Sequence, residues 1–147
     1  MVNSEWKIHA SAAQPLLKQR ALPILRELAD SVGATAHLTR AEGEQAVAVA
    51  VVEPRWTDFH VGYREGARHP LDRGASGRAI SSARAGTVTL IRSSGELQAG
   101  AHGVAVAIDS PPGLEASVGV VSLAPLVDSV DEEVLRAAAA LSRALRN

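Results

Sequence analysis

Apolar residues recur at helical spacing over the first clear element of the chain. Leu17, Ala21, Ile24, Leu28 and Val32 fall on one face with Leu25 beside them, which predicts a helix over Ala13–Val32. Pro23 lies inside that pattern, where the missing N–H and the ring predict a kink or break. Gly33 supplies the stop. The period then shortens. Ala34–Arg40 and the Ala/Val-rich run Gln45–Glu53 read as strands joined by a tight turn at Glu42-Gly43-Glu44, and Pro54 ends the second. Asp58–Arg64 alternates, with Phe59, Val61 and Tyr63 on one side and His60 and Gly62 on the other, and predicts a third strand.

The polar stretch Glu65–Arg73, with Gly66 and Pro70, reads as a loop leading into a short helix from near Ser76 to near Arg84. Further strands are predicted at Thr87–Arg92, Gly103–Asp109 and Glu115–Leu123. The turn Ser110-Pro111-Pro112-Gly113 lies between the last two. Asp131–Arg146 closes the chain as a helix with Leu135, Ala138, Leu141, Ala144 and Leu145 as its apolar stripe. Asp131, Glu132 and Glu133 occupy its first turn and Arg143 and Arg146 its last, as the helix dipole favours. This order describes an α+β fold: an antiparallel sheet of about six strands flanked by N- and C-terminal helices and one short internal helix. Residues 1–12 read as an N-terminal tail and 13–147 as one domain.

Composition narrows the function classes. Aromatic residues make up 3% of the 147 positions, so the core must be built from Ala, Val, Leu and Ile. Few rings are left on which nucleic-acid bases could stack. The formal net charge is −1, which lacks the basic excess that phosphate neutralisation demands, so no direct nucleic-acid binding is expected. The absence of cysteine excludes disulfides, thiolate chemistry and Cys-based zinc sites and fits a reducing cytoplasm. The longest apolar run, Ala46–Val52, is too short to span a bilayer, and the first residues have no signal-peptide stretch. A cytoplasmic protein without membrane contact is expected.

The candidate chemistry gathers at a few places. In Gly74-Ala75-Ser76-Gly77 the amides of a helix N-terminus converge, so the turn could hold a carboxylate, with Gly77 allowing close approach. The alternative is a helix cap by Ser76. Arg68 and Arg78 flank this turn within a basic run that also holds Arg64, Arg73, Arg84 and Arg92. Such arginines either attract an anion or form a solvated face. His102, entering a strand, is either a donor to an effector or a loop histidine. Val61, Tyr63, Ala105, Ala107 and Val121 belong to strands expected to face a cavity, and Gly119, on the face of Val121, would leave room for a ligand or mark a bulge.

The remaining histidines, His9, His37, His60 and His69, are scattered without metal-ligand spacing, so no metal or other cofactor is expected. Ser76 lacks the G-x-S-x-G elbow, and there is neither a Walker loop nor a dinucleotide fingerprint. Catalysis is not expected.

Four segments, in order, resemble the C-terminal domain of IclR-type transcriptional regulators. They are LPILRELADSVGATAHL (Leu22–Leu38), VGYREGARHPLDRGASGRAI (Val61–Ile80), GELQAGAHGVAVAID (Gly95–Asp109) and EASVGVVSLAPL (Glu115–Leu126). The chain departs from the family in having a shortened stretch between Ile80 and Gly95, which would leave the pocket more open. It also departs in carrying no helix-turn-helix segment. The resemblance implies a GAF-like fold that senses a small organic effector, acidic or aromatic. It further implies association into a homodimer or tetramer. The effector site would be built from Val61, Tyr63, Arg68, Ala75, Ser76, Gly77, Arg78, His102, Ala105 and Val121. A module that only oligomerises, its core filled and without a pocket, is the competing expectation.

Overall fold

The computed structural model describes residues 2–55 and 62–146, with the backbone alone for residues 2–14. Along the chain stand α1 (Val2–Val32), β1 (Thr35–Glu42), β2 (Gln45–Val52), β3 (Arg68–Pro70), α2 (Gly74–Arg84), β4 (Ile91–Ser94), β5 (His102–Ala107), β6 (Ala116–Ser122) and α3 (Val130–Arg146). The strands form one sheet in the order β3-β2-β1-β6-β5-β4, with every neighbouring pair antiparallel. The expected α+β architecture is the one observed.

Helix α1 begins earlier than Ala13 and runs through both Pro15 and Pro23 without a break. The reason at Pro23 is its position. Its ring is exposed, while Ala21 and Leu25 on the opposite side are fully buried, so packing on either side of the proline holds the axis. Gly33, with φ of 75°, ends the helix by donating its N–H to the Ala29 carbonyl at 2.8 Å. The first hairpin turns over Gly43-Glu44, with Glu42 paired to Gln45 and Gly43 at φ of 63°.

The third strand differs from expectation. Positions 56–61, including Phe59 and Val61 of the expected strand, lie outside the described residues. Gly62–Arg64 carry no strand, and Gly62 has φ of 75°, which interrupts an extended run. The chain instead turns at Gly66 and pairs Arg68–Pro70 with β2. Pro70 is tolerated there because β3 is an edge strand, where a missing N–H breaks no ladder.

The two faces of the sheet differ in chemistry. Ala36, Leu38, Ala50, Val52, Val104, Val106, Val118 and Val120 pack beneath Leu25 and Leu28 of α1 and Val134 and Leu141 of α3. The alternate positions of β1, β5 and β6 are small or polar: His37 and Thr39, Gly103 and Ala105, Ser117 and Gly119. Helix α2 lies on this second face, where Ala75 and Ala79 meet Ala105, and Ile80 meets Leu71 and Ala46. Small side chains let a helix approach closely, and they position the site.

Candidate functional site

Two glycines explain that close approach. A Cβ at Gly119 would overlap Ala105 and the Val104 carbonyl on the neighbouring strand. Gly119 is therefore bare because the sheet needs the space, and it does not open room for a ligand. A Cβ at Gly77 would lie 2.8 Å from the Leu71 carbonyl oxygen, so Gly77 likewise serves packing of α2.

Beside them a hollow of about 60 Å³ lies between the first turn of α2, the Tyr63 segment and the loop joining β4 to β5. Tyr63, Ala75, Ser76, His102 and Val121, all expected at the site, line it. Ala105 does not, since it is fully buried against Ala75 and Ala79. Val61 lies outside the described residues. Arg68 is on β3, ion-paired to Glu42 at 2.8 Å and bonded to Gln45, away from the hollow. Arg78 stands behind the wall, paired to Glu96 at 2.6 Å. The arginine run disperses in the same way: Arg84 pairs with Glu115 and Glu44, and Arg92 with Asp131.

Helix α2 starts at Gly74, two residues before the expected Ser76. Its N-cap position is Arg73, whose side chain makes no capping bond. Ser76 is therefore a residue of the first turn and not its cap. The open amide of Gly74 donates instead to Oε1 of Glu96 at 3.0 Å, from a loop whose base is closed by Gly95 N–H to the Ala101 carbonyl. Sequence reading missed Glu96 because its partner is 22 residues away, and no local pattern announces a cap supplied across such a distance.

His37 was also missed as a site residue. It is 4% exposed, lines the hollow and approaches Thr39 Oγ1 with Nδ1 at 3.4 Å. Burial, with His69 nearby, lowers its pKa to about 4, so it is neutral at neutral pH. The signal was available: Thr35, His37 and Thr39 put polar groups at alternate positions between Ala34, Ala36 and Leu38. The Tyr63 ring meets His37 edge-on with centroids 5.3 Å apart, and His69 lies beyond at 6.5 Å. Near the hydroxyls of Thr39 and Ser76, the Tyr63 hydroxyl is buried and completes no hydrogen bond among the described residues. Burial raises its pKa. His102 Nδ1 lies 3.0 Å from Ser94 Oγ. Among the described residues no three histidines or carboxylates come together as a metal site, and no helix is long and apolar enough to cross a membrane.

The hollow is small. An enclosed cavity of about 150 Å³ holds one benzene ring, so a ring here would enter in part, or displace Leu97, which is 45% exposed over the mouth. A wider groove of about 460 Å³ runs from Ile80 and Arg84 to Asp109 and Glu115, but Val88 and Asp109 on its walls are largely exposed, and it encloses little.

Residues 9–90, more than half the chain, match a family described as the C-terminal domain of bacterial IclR transcriptional regulators. No curated protein matches the sequence. Among solved structures, an IclR homologue from Microbacterium hydrocarbonoxydans complexed with 4-hydroxybenzoate superposes with a TM-score of 0.73 at 20% identity, over 90% of this chain and 69% of its own. A protein described as an IclR-type regulator from Silicibacter sp. TM1040 gives 0.75 at 17% identity, over 95% and 72%. The IclR regulator from Alicyclobacillus acidocaldarius gives 0.72 at 17%, over 87% and 67%. At these identities the likeness is one of fold.

Proposed function

Since the chain belongs to the IclR family through its C-terminal, effector-binding domain, we propose that the hollow beside α2 receives a small organic effector, aromatic or acidic, without turning it over. The observation that carries this reading is the Tyr63 hydroxyl, buried behind the lining of the hollow beside the hydroxyls of Thr39 and Ser76 and without a complete hydrogen bond among the described residues. A buried hydroxyl left unpaired is costly, and a ligand that moves the ring aside on entering would satisfy it. Ser76, His37 and His102 add polar groups to walls made of Ala75, Ala101, Val120 and Val121, the mixture that small-molecule sites use. The homologue held with 4-hydroxybenzoate is a member of the same fold carrying a single-ring ligand.

In a complete cytoplasmic regulator, such a ligand would act by binding one arrangement of attached DNA-reading domains more tightly than another. Self-association into a homodimer or tetramer is part of the same reading, and sedimentation equilibrium of the purified protein tests it. A melting-temperature screen with single-ring phenols, amides and acids tests the pocket, because a ligand for the native state raises the midpoint progressively with its concentration. Recovery of the bound compound unchanged after incubation excludes turnover.

The small volume of the hollow favours the second reading, a domain that only associates with its own kind. A tight oligomer whose melt no compound shifts would establish that reading instead.

A further inference from the structure

Glu96, which lines the hollow, takes two of the donors that stand behind its wall. Gly74 N–H, at the first turn of α2, donates to one oxygen of Glu96 at 3.0 Å, and the Arg78 guanidinium, one turn further along the helix, donates to the other at 2.6 Å. Arg73 holds the Glu96 carbonyl at 2.7 Å. Between Gly95 and Gly100, with φ of 70° and 80°, the loop bends back so that Glu96, Leu97 and Gln98 form one side of the hollow. Leu97 lies over Gly74, where a Cβ would come within 2.6 Å of it. The remaining polar lining is Tyr63, Ser76, Ser93, Gln98 and His102, together with the neutral, buried His37.

An incoming carboxylate would thus meet another carboxylate whose donors are spoken for. Like charges a few ångströms apart in a partly desolvated cleft repel, and releasing Glu96 would break its bonds to Gly74 and Arg78 together. An uncharged molecule avoids both costs and can still bond to Tyr63 and Ser76. Resting on the pocket reading above, we infer that Glu96 sets the charge class of the ligand: the site takes uncharged, hydrogen-bonding ring compounds and rejects the corresponding acids. Glu96 acts as an internal anion that occupies the place a carboxylate effector would seek.

The test uses matched pairs that differ in charge and little in shape: benzamide with benzoate, and 4-hydroxybenzamide with 4-hydroxybenzoate. Each is titrated calorimetrically into the full chain and into E96Q at neutral pH. Gln at this position keeps an oxygen to accept from Gly74 and removes the charge, and a melting curve checks that the variant is folded. The parent is expected to bind the amides about tenfold or more tightly than the acids. E96Q is expected to bring the two within about threefold of each other by improving the acids. A parent that prefers the acids, or an amide-to-acid ratio that E96Q leaves unchanged, overturns the inference while the pocket stands. If none of the four binds either protein, the inference and the pocket reading fall together.

Discussion

Tyr63 stands edge-on to His37, their ring centroids 5.3 Å apart with the planes at 70°. The contact brings a phenol from the segment before β3 onto an imidazole of β1, and both residues line the hollow. Burial, with His69 nearby, fixes the state of His37. An imidazolium would be deprived of water there, so the neutral ring is retained.

A dependence of stability on pH follows. In the unfolded chain His37 takes up its proton near pH 6.5, and in the folded chain only near pH 4. Between these values the unfolded state binds more protons, so stability is full above about pH 6.5 and declines as the pH falls toward 4. For so deeply buried a group the loss is of the order of 3 kcal/mol. His69, lowered in the same direction by burial and Arg73, adds to the decline. Urea denaturation across this range is expected to show it, and H37Q is expected to flatten most of the slope. An unchanged slope in H37Q would remove His37 as its source.

Gly119→Ala is expected to destabilise the fold by about 1–3 kcal/mol, because its methyl group would overlap Ala105 and the Val104 carbonyl in the middle of the sheet. The melting temperature should fall by several degrees with or without ligand. A variant of parental stability that loses only ligand binding would restore Gly119 to the ligand site.

For Gly77→Ala two effects compete. Alanine favours the helix over glycine by about 1 kcal/mol, but its Cβ would sit 2.8 Å from a backbone oxygen of Leu71 that no side-chain motion relieves. Overlap with backbone outweighs propensity, so thermal unfolding should shift to lower temperature. A rise would show that the Leu71 segment yields.

Tyr63→Phe separates ligand from fold. Without ligand the variant should be as stable as the parent or slightly more so, since a buried hydroxyl with no partner among the described residues is removed. Affinity for a hydrogen-bonding ligand should drop by about tenfold, and calorimetric titration reads both the loss and its enthalpy. Undiminished affinity would mean that the hydroxyl is not used.

The parts of this molecule legible in the sequence are those governed by local periodicity. Helix α3 begins one residue before the expected Asp131 and ends as read, because its acidic first turn and basic last turn are written within its own residues, but its buried face is Val130, Val134, Ala137 and Leu141, and of the expected stripe only Leu141 is buried while Leu135 is exposed. Strands β1, β2, β5 and β6 were visible for the same reason. What escaped depends on contacts between distant segments. Arg68–Pro70 is a strand because β2 offers an edge there, and the expected strand ending at Arg64 stops being extended at Gly62. The Ser76 turn was correctly placed at a helix start, but Ser76 is not its cap, and the amide of Gly74 is taken by Glu96, which reaches back from the next loop. Glycines 77 and 119 were read as openings for a ligand or, alternatively, as a turn and a bulge residue, and a Cβ at either would overlap neighbouring backbone.

The chain holds a single tyrosine, and it lines the hollow. Protein labelled with ring-¹³C tyrosine therefore gives one set of aromatic signals that reports on the site alone. Titration with 4-hydroxybenzamide is expected to shift those signals saturably, with the same midpoint as the calorimetric binding curve. Signals that stay fixed while the compound binds and raises the melting temperature would place the effector elsewhere and contradict the account.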